Sequence, residues 1–253
     1  DARIPMSSAN PVLREIVGGK PRVIVLNKAD LADEATTRAW MKYFAAQGIT
    51  AVPVDAVKGR GVKELVQAIA KYAKPKTDKL VQHGAKARAA RCMILGIPNV
   101  GKSSLINRLS GESKTKVENR PGVTRAKQWI RINAQLELLD MPGILWPKFE
   151  DQQAALHLAF TGAINDNVYD VASVVLLLLD TLRVKYPSDL TERYCLDGNL
   201  PRGVELLEEI GRKRGCLRAG GKIDYEKAEQ IVLTDFRSGR LGYVTLDELP
   251  TIP

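Results

Sequence analysis

The run Gly96-Ile97-Pro98-Asn99-Val100-Gly101-Lys102-Ser103 fits G-x-x-x-x-G-K-[ST]. It follows a short apolar stretch of strand character, Cys92 to Leu95, and opens a helical pattern over Ser103 to Leu109. In that setting free backbone N–H groups and a helix N-terminus converge on one spot, and both favour an anion. The expected ligand is a chain of phosphates, wrapped by Asn99, Val100, Gly101, Lys102, Ser103 and Ser104. Lys102 would reach the β- and γ-phosphates, and the Ser103 hydroxyl would hold Mg²⁺. A glycine-rich turn carrying a chance Lys-Ser is the bland alternative, and the strand before and helix after the run count against it.

Four further signatures bear on the same chemistry. Asp140-Met141-Pro142-Gly143 ends a strand pattern, which sets Asp140 where ligands collect in open α/β sheets. Its carboxylate would serve Mg²⁺ and the Gly143 N–H the γ-phosphate, while Thr124 of Pro121-Gly122-Val123-Thr124 offers a second Mg²⁺ ligand. Asn27-Lys28-Ala29-Asp30 then selects the base. A carboxylate at Asp30 accepts from guanine N1–H and its exocyclic amine, and adenine has no donor at either place. The Lys28 stem would cover the base, with its amine and the Asn27 amide tying neighbouring loops together. Asp55-Ala56, at the end of the next strand, would complete the pocket with a backbone N–H to guanine O6.

These loops need elements to hold them. Arg22 to Leu26 and Thr50 to Val54 read as strands, and Glu34 to Gln47 and Gly61 to Tyr72 as helices, a β-α-β-α rhythm that points to a parallel sheet with crossover helices. Ala73 to Arg91, with six Lys/Arg and one acid, reads as a solvated linker. Strand patterns return at Gln128 to Ile132 and Leu136 to Leu139. Beyond residue 150 the helical patterns Gln152 to Thr161, Asp170 to Lys185, Arg202 to Arg214 and Tyr225 to Arg237 follow one another, with breaks at Pro187, at Gly198 and Pro201, and at Gly220-Gly221. The expected division is an α/β domain over 1–150 and a small all-α domain over 151–253.

Composition sets the outer limits. The chain has 253 residues, is 45% apolar and carries a net charge of +9. The first 150 residues hold 26 Lys/Arg against 13 Asp/Glu and the remainder 12 against 16, so the basic half is the first, which favours a polyanionic partner there. Within the second half the one cationic patch is Arg212-Lys213-Arg214 with Arg218. Cys92, Cys195 and Cys216 are odd in number and lack C-x-x-C spacing, which argues for a reducing, cytoplasmic setting without structural zinc. No apolar run approaches the roughly 20 residues that span a bilayer.

The motif order, N-K-A-D, D-A, G-x-P-N-V-G-K-S-S, P-G-x-T, D-x-P-G, resembles that of the circularly permuted GTPases of ribosome assembly (YlqF/YawG type), and among them the ribosome biogenesis GTPase A group. The likeness extends to Asp1-Ala2-Arg3-Ile4-Pro5 and to Asp235-Phe236-Arg237-Ser238-Gly239-Arg240-Leu241-Gly242. It implies a P-loop GTPase domain, circularly permuted, with a mostly parallel sheet and helices on both faces, followed by a small all-α domain that touches ribosomal RNA. In the family the D-A-R-I-P segment ends a strand, whose body would lie upstream of Asp1. The resemblance implies GTP and GDP as ligands, hydrolysis assisted by Mg²⁺, K⁺ bound with help from Asn99, and the large ribosomal subunit and its rRNA as partners. Many GTPases orient the attacking water with a Gln after D-x-x-G. Here that position is Ile144. The family's proposed water-positioning His would lie upstream of Asp1, since no His precedes His83, and His83 and His157 read as surface or packing residues. Two other readings stay open: a nucleotide-gated RNA-binding switch with negligible catalysis, which Ile144 allows, and a permuted GTPase serving the small subunit.

Overall fold

Val23–Asn27 (β1) and Thr50–Val54 (β2) pair in parallel, Val23 opposite Thr50 through Asn27 opposite Val54. The crossover between them is Glu34–Ala46 (α1), capped by Asp33, whose carboxylate accepts from the Thr36 N–H. Trp40 and Phe44 of α1 are buried and pack with Leu26, Ala51 and Ala2, the apolar face that the spacing of those aromatics demands. The structure, a computed structural model, describes residues 1–12, 17–82, 89–111, 128–133, 136–145 and 151–250.

Val62–Gln82 (α2) follows β2 and buries Leu65 against Val52, Val54 and Leu105. It runs ten residues beyond the expected end at Tyr72, through Pro75, so the first part of the anticipated linker is helix. Lysines and alanines are good helix formers, and a proline removes one ladder bond without stopping a helix that is otherwise favoured. Ala90–Ile94 (β3) then enters the phosphate loop, and Lys102–Ser110 (α3) leaves it. Gln128–Asn133 (β4) and Leu136–Asp140 (β5) pair antiparallel, and β5 pairs with β3 in parallel. Among the described residues the hydrogen-bonded strands thus form a parallel pair and a three-stranded mixed sheet in the order β3-β5-β4. A cavity of about 960 Å³ is lined by the whole of β1 and the whole of β3.

The chain divides into two compact units, Asp1–Ala154 together with the tail from Thr245, and Ala155–Val244. The tail therefore falls outside the 151–253 division read from the sequence, for a reason visible in its bonds. The Leu246 N–H donates to the Arg3 carbonyl at 2.8 Å, and the Asp247 carboxylate accepts from Met6 N–H, Ser7 N–H and Ser7 Oγ at 2.7, 2.8 and 2.5 Å.

The second unit takes the end of Gln152–Phe160 (α4), then Val171–Lys185 (α5), Pro187–Tyr194 (α6), Gly203–Lys213 (α7) and Tyr225–Arg237 (α8). Helix α6 is additional to the sequence reading, in which Pro187 is a break. Here Pro187 occupies the first helical turn, where its missing N–H costs nothing. Leu178, Leu179, Leu206, Ile210, Val232 and Phe236 fill the interior. His157 is buried there, its ring 6.1 Å from Phe160, as a packing residue. Asp235 is the polar hub: Arg193 meets its carboxylate with two hydrogen bonds of 2.9 and 2.8 Å, and Arg214 and Arg240 lie at 3.6 and 3.5 Å.

Candidate functional site

The loop after β3 turns through two left-handed residues, Asn99 with φ 58° and Gly101 with φ 88°, before α3 begins at Lys102. Asparagine tolerates φ near 58°, but the 88° of Gly101 favours glycine, and there space forbids a side chain as well. A Cβ on Gly101 would stand 2.4 Å from Asn27 Nδ2. That amide donates to the Val100 carbonyl at 2.7 Å, and Lys28 Nζ donates to the Asn99 carbonyl at 2.6 Å. Two residues of the N-K-A-D segment are thereby fastened to two consecutive carbonyls of the G-x-x-x-x-G-K-S loop, across 73 and 71 positions of chain.

Asn27 ends β1 and is buried, while Lys28 takes a left-handed turn of φ 56° that aims the following 3-10 turn, Ala29–Leu31, away from the strand. Asp30 sits in that turn, half-buried. Asn27 Oδ1 also accepts from the Ala56 N–H at 3.4 Å, which brings the Asp55-Ala56 corner to the same place. Asp55 Oδ1 closes that corner by accepting from the Val57 and Lys58 N–H groups at 3.0 and 2.9 Å, and its Oδ2 is buried with no partner among the described residues. Arg108 of α3 is a residue the sequence reading missed. It donates to the Ala56 carbonyl at 3.1 Å and to the Val57 carbonyl, from about fifty positions away, and no local pattern marks it.

Lys102 opens α3 and lies over the loop, its ammonium donating to the Gly96 and Ile97 carbonyls at 3.1 and 2.7 Å. Burial draws its pKa down to about 8, against the pull of the Asp140 carboxylate. Ser103 and Ser104 occupy the first turn of the same helix. Asp140 is the last residue of β5 and almost wholly buried; burial raises its carboxyl pKa, with Lys102 and the Met141 N–H acting in the other direction. Its Oδ1 is buried and meets no hydrogen-bond partner among the described residues. An orphaned, buried carboxylate oxygen is a hard donor of the kind Mg²⁺ takes, while the Lys102 ammonium and the helix N-terminus are positive and suit the phosphates.

Gly143 is pressed against the loop, since a Cβ there would stand 2.7 Å from Pro98 N and 3.0 Å from Lys102 Nζ. Ile144 follows with its N–H on the Gly96 carbonyl at 3.2 Å, its carbonyl held by Asn10 Nδ2 at 3.3 Å, and its side chain partly exposed. Asn10, whose Oδ1 also accepts from the Val12 N–H, is a second contributor that the sequence reading left without a role. Thr124 and His83 lie outside the described residues.

The chain is similar to known proteins over nearly its whole length. Residues 91–201 match the family described as 50S ribosome-binding GTPase. Ribosome biogenesis GTPase A of Bacillus cereus is 48% identical over 247 residues, covering 98% of this chain and 83% of that protein. Mitochondrial ribosome-associated GTPase 1 of mouse is 32% identical over 98% of this chain and 81% of its own length. Among solved structures, the GDP-bound YlqF structure superposes with a TM-score of 0.68 at 26% identity, covering 98% of this chain and 91% of that one.

Proposed function

The chain belongs to the ribosome biogenesis GTPase A family, and from that premise we propose that it binds GTP across the Asn27–Asp30 and Gly96–Ser103 loops, hydrolyses it to GDP, and spends the cycle on late assembly of the large ribosomal subunit. The observation that carries the nucleotide part is the double tie of Asn27 to Val100 and Lys28 to Asn99, which makes a base-reading loop and a phosphate-wrapping loop one rigid site. Asp30 reads guanine. Val100, Gly101, Lys102, Ser103, Ser104 and Gly143 take the phosphates, and Asp55 with Ala56 closes the base side. The bacterial relative at 48% identity, set against the mitochondrial one at 32%, favours a cytoplasmic place of action.

Membership of a GTPase family carries Mg²⁺ dependence with it. Ser103, Thr124 and Asp140 would hold the ion, whose chemistry is to neutralise charge shared between the β- and γ-phosphates. The residues themselves orient and exclude. Lys102 exchanges its carbonyl partners for phosphate oxygens, and Gly143, fixed beside Pro98, presents its N–H to the γ-phosphate. Ile144 neither donates nor accepts through its side chain, so intrinsic turnover is slow and the water-orienting group comes from elsewhere. Asn99 would help to hold K⁺, which would supply further positive charge to the phosphates. Asn99→Ala is expected to abolish the stimulation of GTP hydrolysis by K⁺ over Na⁺ while leaving GDP affinity within about threefold, because the Lys28 contact uses the Asn99 backbone.

The RNA partner is better served by the first half of the chain than by the helical unit. In the Arg212-Lys213-Arg214 patch, Arg212 pairs with Glu208 at 2.8 Å, Arg214 turns to Asp235 and lies 5.2 Å from the Tyr194 ring centre, and Arg218 pairs with Asp224 at 3.0 Å. Those charges are largely answered inside the unit. Single-turnover GTP hydrolysis with and without isolated large and small subunits, together with co-sedimentation in GDP and in a non-hydrolysable GTP analogue, tests the reading. The expected result is a rate raised at least about tenfold by large subunits alone, with GTP-analogue-dependent pelleting. Binding without any rise in rate would favour a nucleotide-gated switch, and stimulation by small subunits alone would overturn the choice of client.

A further inference from the structure

A lysine stem can serve as a flat cover for a base only if its ammonium is pinned, because the four-carbon chain is flexible and its head is strongly hydrated. Lys28 Nζ has one anchor in the Asn99 carbonyl at 2.6 Å. Its second is the Asp1 carboxylate, Oδ2 at 3.1 Å. Asp1 is itself held without slack. Its side chain is 1% exposed, its Oδ1 accepts from the Arg3 N–H at 3.1 Å and from Arg3 Nε at 2.9 Å, and its Oδ2 accepts from Arg3 Nη2 at 2.8 Å. The Ala2 N–H donates to the Asn27 carbonyl at 2.7 Å, locking this turn to the residue just before Lys28. The returning tail supports it from behind, through the Leu246 N–H on the Arg3 carbonyl.

We propose that Asp1 is a positioning residue for nucleotide binding, acting through Lys28: its carboxylate, oriented by Arg3, fixes the Lys28 ammonium between itself and the Asn99 carbonyl so that the Lys28 stem lies across the guanine. This rests on reading Asn27–Asp30 as the guanine loop. The arrangement favours a buried carboxylate over a neutral group because two cations, Arg3 and Lys28, converge on it, and removing one partner from such a set leaves the others uncompensated. The base loop serves GDP and GTP alike, so the strut sets affinity for both and leaves the chemical step alone.

The test is a double-mutant cycle on the full-length protein, with dissociation constants for fluorescent GDP and a fluorescent GTP analogue and kcat at saturating GTP. Asp1→Asn is expected to weaken both nucleotides by about tenfold, the size of one charge-assisted hydrogen bond, with kcat unchanged within about twofold. In a Lys28→Ala background the same substitution should change affinity by less than about twofold. Unchanged affinities in Asp1→Asn, or an equal loss in both backgrounds, overturns the proposal while sparing the guanine-loop reading. Lys28→Ala with wild-type affinity overturns both. If Asp1→Asn does not fold, Arg3→Lys, which keeps the charge and loses the two-pronged grip, is expected to weaken both nucleotides about threefold, and wild-type affinity there overturns the proposal.

Discussion

Asp30→Asn is expected to lower GTP affinity by about a hundredfold to a thousandfold and to create binding of xanthosine triphosphate where the parent protein has almost none. Guanine presents two donors side by side, N1–H and the C2 amine, and a carboxylate answers both with charge-assisted acceptors, the stronger kind. Asparagine keeps one acceptor and replaces the other with a donor, so one bond survives and the other becomes a clash of two N–H groups. Xanthine keeps N1–H but carries a carbonyl at C2, and that pattern matches the amide. The substitution is nearly isosteric and falls in a half-buried turn closed by the Leu31 N–H on the Lys28 carbonyl at 2.9 Å, so the fold has no reason to respond. Competition against a fluorescent nucleotide gives both numbers. GTP affinity within about threefold of the parent, or no gain for the xanthine nucleotide, would remove Asp30 from the base pocket.

What the sequence made legible and what it left hidden divide along chain distance. Strand patterns, the helix behind the phosphate loop and the run of helices after residue 150 are written in local periodicity, and the structure has elements at each of those places. The motifs were visible because their residues are contiguous. The parts that hold the motifs together are not. Asp247 meets Ser7 across 240 positions, Arg108 meets Ala56 across 52, and Asn10 meets Ile144 across 134. Each is an ordinary polar residue in an ordinary local setting. Two helix boundaries are hidden for a different reason: α2 runs on through Pro75 at the loss of one ladder bond, whereas α6 starts at Pro187, where the missing N–H has no partner to lose, and a proline in the sequence does not tell either case from a break. Asp1 and Arg3 stand between these cases. The D-A-R-I-P segment carries a resemblance, yet its chemistry, a carboxylate shared between Arg3 and Lys28, only appears once β1 brings Asn27 and Lys28 beside it.

Gly101→Ala is expected to weaken GDP and GTP together by about a hundredfold, although it deletes no group that touches nucleotide. Two costs add. A left-handed angle of φ 88° penalises any Cβ by about 1–2 kcal/mol, and the new methyl would also stand 2.4 Å from Asn27 Nδ2. The amide cannot step aside freely, because it is bonded to the Val100 carbonyl on one side and accepts from the Ala56 N–H on the other. Either the phosphate loop opens or Asn27 swings away and both ties go, and each outcome separates base loop from phosphate loop. Gly111 supplies the control at the other end of α3. Its φ is 68°, so the backbone cost is similar, but among the described residues a Cβ there would meet nothing within 4 Å. Gly111→Ala should therefore lower stability by about 1 kcal/mol in urea denaturation and leave nucleotide affinity within about twofold. If the two variants bind alike, backbone strain at the ends of α3 is all that the glycine at 101 relieves, and the joining of the two loops through Asn27 does not set affinity. If only Gly101→Ala loses nucleotide, the close approach of Asn27 is what holds a base reader and a phosphate cradle, 73 positions apart in the chain, at a fixed separation.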